Sequence, residues 1–62
     1  MKKMPEVGDL IKHKIEGIAI VVKKYIYRGV WKYEIVWVQP NKYPVICVFD
    51  SNLKDKSWKK LT

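Results

Sequence analysis

From Trp31 to Val38 the chain alternates with a two-residue period. Trp31, Tyr33, Ile35 and Trp37 fall on one side, and Lys32, Glu34, Val36 and Val38 on the other. That is the period of a β-strand, whose successive side chains point to opposite faces of a sheet. Runs rich in Ile, Val and Tyr predict further strands over Asp9–His13, Ile18–Tyr27 and Val45–Phe49. The last is apolar on both faces, so the expectation is a strand covered on both sides, or packed on one and paired with a partner.

Turn signals separate these runs. Ile15-Glu16-Gly17 closes the first strand, and Arg28-Gly29 sits between β-formers as a hairpin signal. Gln39-Pro40-Asn41-Lys42, ended by Tyr43-Pro44, reads as a loop, and Asp50-Ser51-Asn52 as a turn. Leu53 is then an anchor tucking back under the barrel. The basic stretch Lys54 to Thr62, around Trp58 and Leu61, forms either a short fifth strand or a loose tail.

Length narrows the architecture. A chain of 62 residues holds one domain, and domains of this size bury only about 60% of the surface that their unfolded chains expose. About five short antiparallel strands with tight turns outline an all-β, SH3-like small barrel over residues 1–62, with 1–4 and 55–62 as candidate loose ends. A closed barrel is preferred to an open meander, because an open sheet this small would expose one apolar face. The longest apolar run, Ile18 to Val22, is far short of the ~20 residues that span a bilayer, so no membrane helix is expected. Met1-Lys2-Lys3 is followed by Glu6, Gly8 and Asp9, where a signal peptide would be apolar. The lone Cys47 excludes an intramolecular disulfide and fits a reducing cytoplasm.

The stretch Val7 to Val22 resembles the opening of SH3-like and Tudor-like barrels. Its Gly8, Asp9, Ile11, His13, Gly17, Ala19 and Val21 stand where such domains carry Gly-Asp, a hydrophobic residue, His, a small-residue turn and a Val-rich strand. Tyr33-x-Ile35-x-Trp37 and Ser51-x-Leu53 are similar to the rest of the pattern, which spans roughly residues 5 to 54. The likeness is to stand-alone bacteriophage or bacterial barrels, and to helicase-appended or RNA-polymerase-interacting domains. Ala19 departs from the pattern, where glycine is common, and so does the basic C-terminal end. What the resemblance implies is a binding module in the cytoplasm, or in a host cytoplasm if phage-encoded, acting on transcription or replication machinery.

Catalysis finds little support in the residues. One His and one Cys cannot fill a zinc site, which takes three or four such ligands. Cys47, between Ile46 and Val48, reads as a buried inert thiol, and His13 as a side chain pinning the turn that follows it. Ser51 and Ser57 lie in polar loop contexts, and Asp9 and Glu16 fit turn chemistry and solvation. Gly8, Gly17 and Gly29 are too scattered to cradle a phosphate. The expectation is no enzyme, no metal and no cofactor.

Charge carries the stronger signal. Thirteen basic against six acidic residues give +7 and a pI near 9.7, the footprint of a nucleic-acid-binding domain. Two basic groups are candidates for DNA or RNA phosphates: Lys23, Lys24, Arg28 and Lys32 at the hairpin, and Lys54, Lys56, Lys59 and Lys60 around Trp58. Trp58 is either an exposed stacking ring or a lid on the core. Tyr33, Trp37 and Trp31 are read as core. Lysine outnumbers arginine twelve to one, so little sequence specificity follows. The alternative is a protein-interaction module whose lysines serve solubility. Val36 and Val38 on an exposed edge of the third strand, with Tyr25 and Tyr27, would meet a protein partner or a second copy.

Overall fold

The computed structural model describes residues 1, 3–38 and 45–62. The expected loop from Gln39 to Pro44 lies outside them. The elements are β1 (Leu10–His13), β2 (Gly17–Tyr27), β3 (Val30–Trp37), β4 (Val45–Phe49), one helical turn α1 (Asp50–Leu53) and β5 (Trp58–Lys60). All five strands are antiparallel in one sheet of order β4-β3-β2-β1-β5. Among the described residues no ladder joins β4 to β5, so the sheet is open and the expected closure is not found.

The sheet nevertheless curls strongly. Trp58 on β5 stacks on Trp37 of β3 with ring centroids 6.0 Å apart. Two strands lie between β5 and β3, so a flat sheet would separate them by about 14 Å at ~4.8 Å per strand. The concave face holds the core: Ile11, Ala19, Val21, Tyr33, Ile35, Val48, Leu53 and Trp58, with Met1, Met4, Trp37 and Ile46 packed against them. Leu53 is the anchor expected of it, fully buried at the end of α1.

Curvature has a local source in β2. Val21 stands opposite Ile35 and Lys23 opposite Glu34, which leaves Val22 without an opposite residue. This β-bulge reverses the alternation along the strand and increases its twist. Before it, Ala19 and Val21 face the core. Beyond it Lys24 and Ile26 take the concave side, while Lys23, Tyr25 and Tyr27 turn to the convex one. The bulge is held at its base, where Gly8 N–H donates to the Val21 carbonyl (2.8 Å) and Val21 N–H to that of Asp9 (3.0 Å).

Residues expected as candidate loose ends are tied in: the Met1 amino group donates to the Leu53 carbonyl (2.8 Å). The Leu61 N–H donates to the Leu10 carbonyl (2.9 Å), and Leu10 N–H to Thr62 Oγ1 (3.0 Å). His13 pins its turn as expected, its Nδ1 accepting from the N–H groups of Ile15 and Glu16, each at 3.1 Å.

Three readings need correction. Trp31 shares a face with Tyr33 but is 42% exposed, because the strand outruns the core beneath it. Cys47 is exposed: it shares the convex face of β4 with Val45 and Phe49, so only Ile46 and Val48 of that strand point inward. The third strand is not an edge. It pairs with β2 on one side and β4 on the other, and among the described residues the open edges are β4 and β5.

Candidate functional site

The distal half of the β2–β3 hairpin projects beyond the core. From Tyr25 to Lys32 no residue is buried, and Ile26 (59%), Tyr27, Val30 and Trp31 are exposed. Two residues turn the chain at its tip, Arg28 with φ 53° and Gly29 with φ 79°. Two successive positive φ angles match the twist of the flanking strands, the geometry that favours Asn-Gly. Glycine adopts it freely, whereas an arginine there carries strain of about 1 kcal/mol. A cation is therefore held at the tip at a conformational cost.

Aromatic rings and cations interleave on the convex side of this arm. Lys32 Nζ lies 5.1 Å from the Tyr27 ring centre and 5.2 Å from that of Phe49 on neighbouring β4. The Arg28 guanidinium lies 5.3 Å from Tyr27, and Lys23 Nζ 5.2 Å from Tyr25. Such contacts contribute about 0.5–1 kcal/mol each at exposed sites, and they hold flexible cations against part-exposed rings. Burial, and then the neighbouring Cys47 thiol, push the Tyr25 hydroxyl above its ordinary pKa, so it stays a neutral donor at physiological pH.

Lys24 is handled differently. The bulge turns it to the concave side, where its Nζ sits 4.9 Å from the Trp31 ring centre and binds Glu6 at 3.0 Å. Beside it the Tyr33 hydroxyl is buried with no hydrogen-bond partner among the described residues, and burial raises its pKa. The same division runs through the basic tail. Lys60 turns inward to Asp9 (3.4 Å) and Lys54 reaches Asp50 (4.0 Å). Lys56 and Lys59 are exposed, with no ion pair among the described residues. Trp58 resolves as the lid: it is 9% exposed, stacked on Trp37 and edge-on to His13 at 4.8 Å. It cannot stack on a base without leaving the core.

The strand register assembles the convex face row by row. Tyr25, Lys32 and Phe49 form one row, and Lys23, Glu34 and Cys47 the next. Leu10, Ile20, Val36 and Val45 make an apolar row across four strands, followed by Ile18, Lys12 and Lys59. Glu34 is the one carboxylate in these rows, and it faces Lys23 at 3.8 Å. The hairpin and tail groups thus share one face through Lys23, Lys32 and Lys59. Sequence reading had passed over Phe49 and Lys12, although their places opposite Lys32 and Lys59 follow once the register is known. Val36 lies in the apolar row, and Val38, 57% exposed, bonds through its N–H to the Ile18 carbonyl at 2.8 Å.

Among the described residues no group of three or more His, Cys, Asp and Glu side chains could hold a metal ion, and no helix is long and apolar enough to cross a membrane. Comparison of the chain with protein-family models, with curated proteins and with solved structures finds no match.

Proposed function

We propose that this protein is a non-enzymatic binding module of the SH3-like type that takes single-stranded nucleic acid on the convex face of its sheet, with little sequence preference. The observation that carries the reading is the arm, where exposed Tyr27 and Phe49 rings flank Lys32 and strained Arg28 at the tip supplies a further cation. Rings take the faces of bases while ammonium and guanidinium groups neutralise phosphates. A chemistry of stacking and point charges reads no base edge, which suits a surface with one arginine and many lysines. Curling of five short antiparallel strands around one core supports the SH3-like reading.

Labelled oligothymidylate and oligouridylate titrated at several salt concentrations test the proposal. Saturable binding is expected at ~50 mM salt, with log affinity falling against log salt at about −0.7 per phosphate neutralised. Tyr27→Ala with Phe49→Ala should weaken it by about 1–3 kcal/mol for each stacked base lost. Equal competition by polyglutamate, which has charge but no bases, would overturn the stacking role.

A second reading rests on the open edge of β4. Val-Ile-Cys-Val-Phe carries no charge and no proline, the features that normally protect an edge strand. Phe49 N–H is capped by Asn52 Oδ1 at 2.9 Å. A strand from a protein partner, or from a second copy, would pair there and continue the apolar row that ends at Val45. Sedimentation with and without Cys47→Lys distinguishes the cases: a self-associating edge becomes monomeric in the variant.

A further inference from the structure

Lys12 and Lys59 stand directly opposite one another in the β1–β5 ladder. Like charges in that relation destabilise a sheet, and this is a ladder of only three residue pairs. Neither lysine has a carboxylate within ion-pair distance among the described residues, and both are exposed. Lys60 and Lys24, which point to the concave side, are each matched by an acid. Lys12, Lys32 and Lys59 are thus convex-face lysines with no ion pair among the described residues, and two of them are set against each other there.

We propose that Lys12 and Lys59 form a second phosphate anchor, so that a strand bound at the arm continues across the convex face to the β1–β5 corner. The inference rests on the nucleic-acid reading above and extends it with a path and a length. Ile18, opposite Lys12, and Tyr25, opposite Lys32, are seven residues apart on β2 with one residue taken up by the bulge. Six steps of about 3.3 Å put the two anchors roughly 20 Å apart. Between them lie two rows: Lys23, Glu34 and Cys47, where Lys23 matches the carboxylate at 3.8 Å, and then Leu10, Ile20, Val36 and Val45. The second of these rows offers bases an apolar floor whose side chains carry no donors or acceptors, so that stretch is indifferent to sequence. A phosphate between Lys12 and Lys59 relieves their repulsion, so occupancy of the corner stabilises the short ladder.

The test compares oligothymidylates of four and ten nucleotides, near the lower and middle range of site sizes for small β-folds. The variants are Lys12→Ala with Lys59→Ala, and Lys12→Glu alone. The expected result is that the double variant leaves the four-mer affinity unchanged and weakens the ten-mer. Its salt slope for the ten-mer should fall by about 1.4, two cations at ~0.7 each. Lys12→Glu, placing opposite charges face to face, should raise the melting temperature while weakening the ten-mer. An unchanged ten-mer affinity and slope in the double variant would overturn the second anchor and leave the arm reading standing. Failure of the unsubstituted protein to bind either oligonucleotide at ~50 mM salt would overturn both.

Discussion

The two halves of the β2–β3 hairpin differ in what their side chains meet. In the proximal half Ala19, Val21 and Ile35 are buried and face Ile11, Leu53 and Trp58 in one core. In the distal half Ile26 and Trp31 lie on the same concave side of the ladder as that core, yet they are exposed. Hydrophobicity and strand period are alike in both. What differs is the reach of the other elements: β1, β5 and α1 cover the proximal half, and nothing described extends over the arm. An apolar residue therefore contributes to stability only where a second layer exists, and beyond that layer the same residue type becomes a surface.

The largest test of this contrast is a pair of substitutions of one residue type. Ile35→Ala should cost about 2–5 kcal/mol through lost burial and the cavity left behind. Ile26→Ala should stay within about 0.5 kcal/mol, as at ordinary surface positions. Chemical denaturation of the two variants measures both, and a large cost at Ile26 would mean that the arm is packed after all.

A smaller effect, opposite in sign for stability and for binding, is expected at the tip. Asn tolerates positive φ far better than Arg, so Arg28→Asn should gain up to about 1 kcal/mol of stability. The same change should reduce the salt slope of the proposed nucleic-acid binding by about 0.7. Gain in both stability and affinity would remove the reason proposed for an arginine at that turn.

The smallest effect belongs to the proximal base. The carboxyl of Asp9 is held below its ordinary pKa, chiefly by the Glu6 N–H it accepts at 2.8 Å, and further by Lys60 and Thr62. A lowered folded-state pKa stabilises the fold above the unfolded value near 4, and that contribution is lost as pH falls through the folded value. Asp9→Asn should therefore lower stability at neutral pH and lose less of it below pH ~4. Acid titration followed by tryptophan fluorescence reads the difference. The arm carries no carboxylate between Tyr25 and Lys32, so arm substitutions should leave this acid limb unchanged.

Much of the fold was legible beforehand because its signals are local. The alternation in β3, the Arg28-Gly29 turn, the pinning role of His13 and the anchor at Leu53 each depend on a few adjacent residues. The misreadings share another cause. Cys47 sits in an unbroken apolar run, where no polar neighbour marks which face is solvent. Trp31 obeys the period of the core face, but the period does not say where the core stops. The bulge at Val22 was invisible, since Ile18 to Val22 is apolar at every position and accepts either phase.

By itself, then, the sequence determined an all-β chain with its strands, its turns and an excess of positive charge, all consequences of backbone preference and residue type. The tertiary structure decided which lysines are matched by acids, that Trp58 is a lid, and that β4 and β5 are edges. It also decided that Tyr25, Tyr27, Lys32, Phe49, Lys12 and Lys59 share one face. These follow from the register of strands far apart in the chain and from one extra residue in β2. A shift of one residue exchanges inside for outside, and only the pairing of whole strands fixes where it falls.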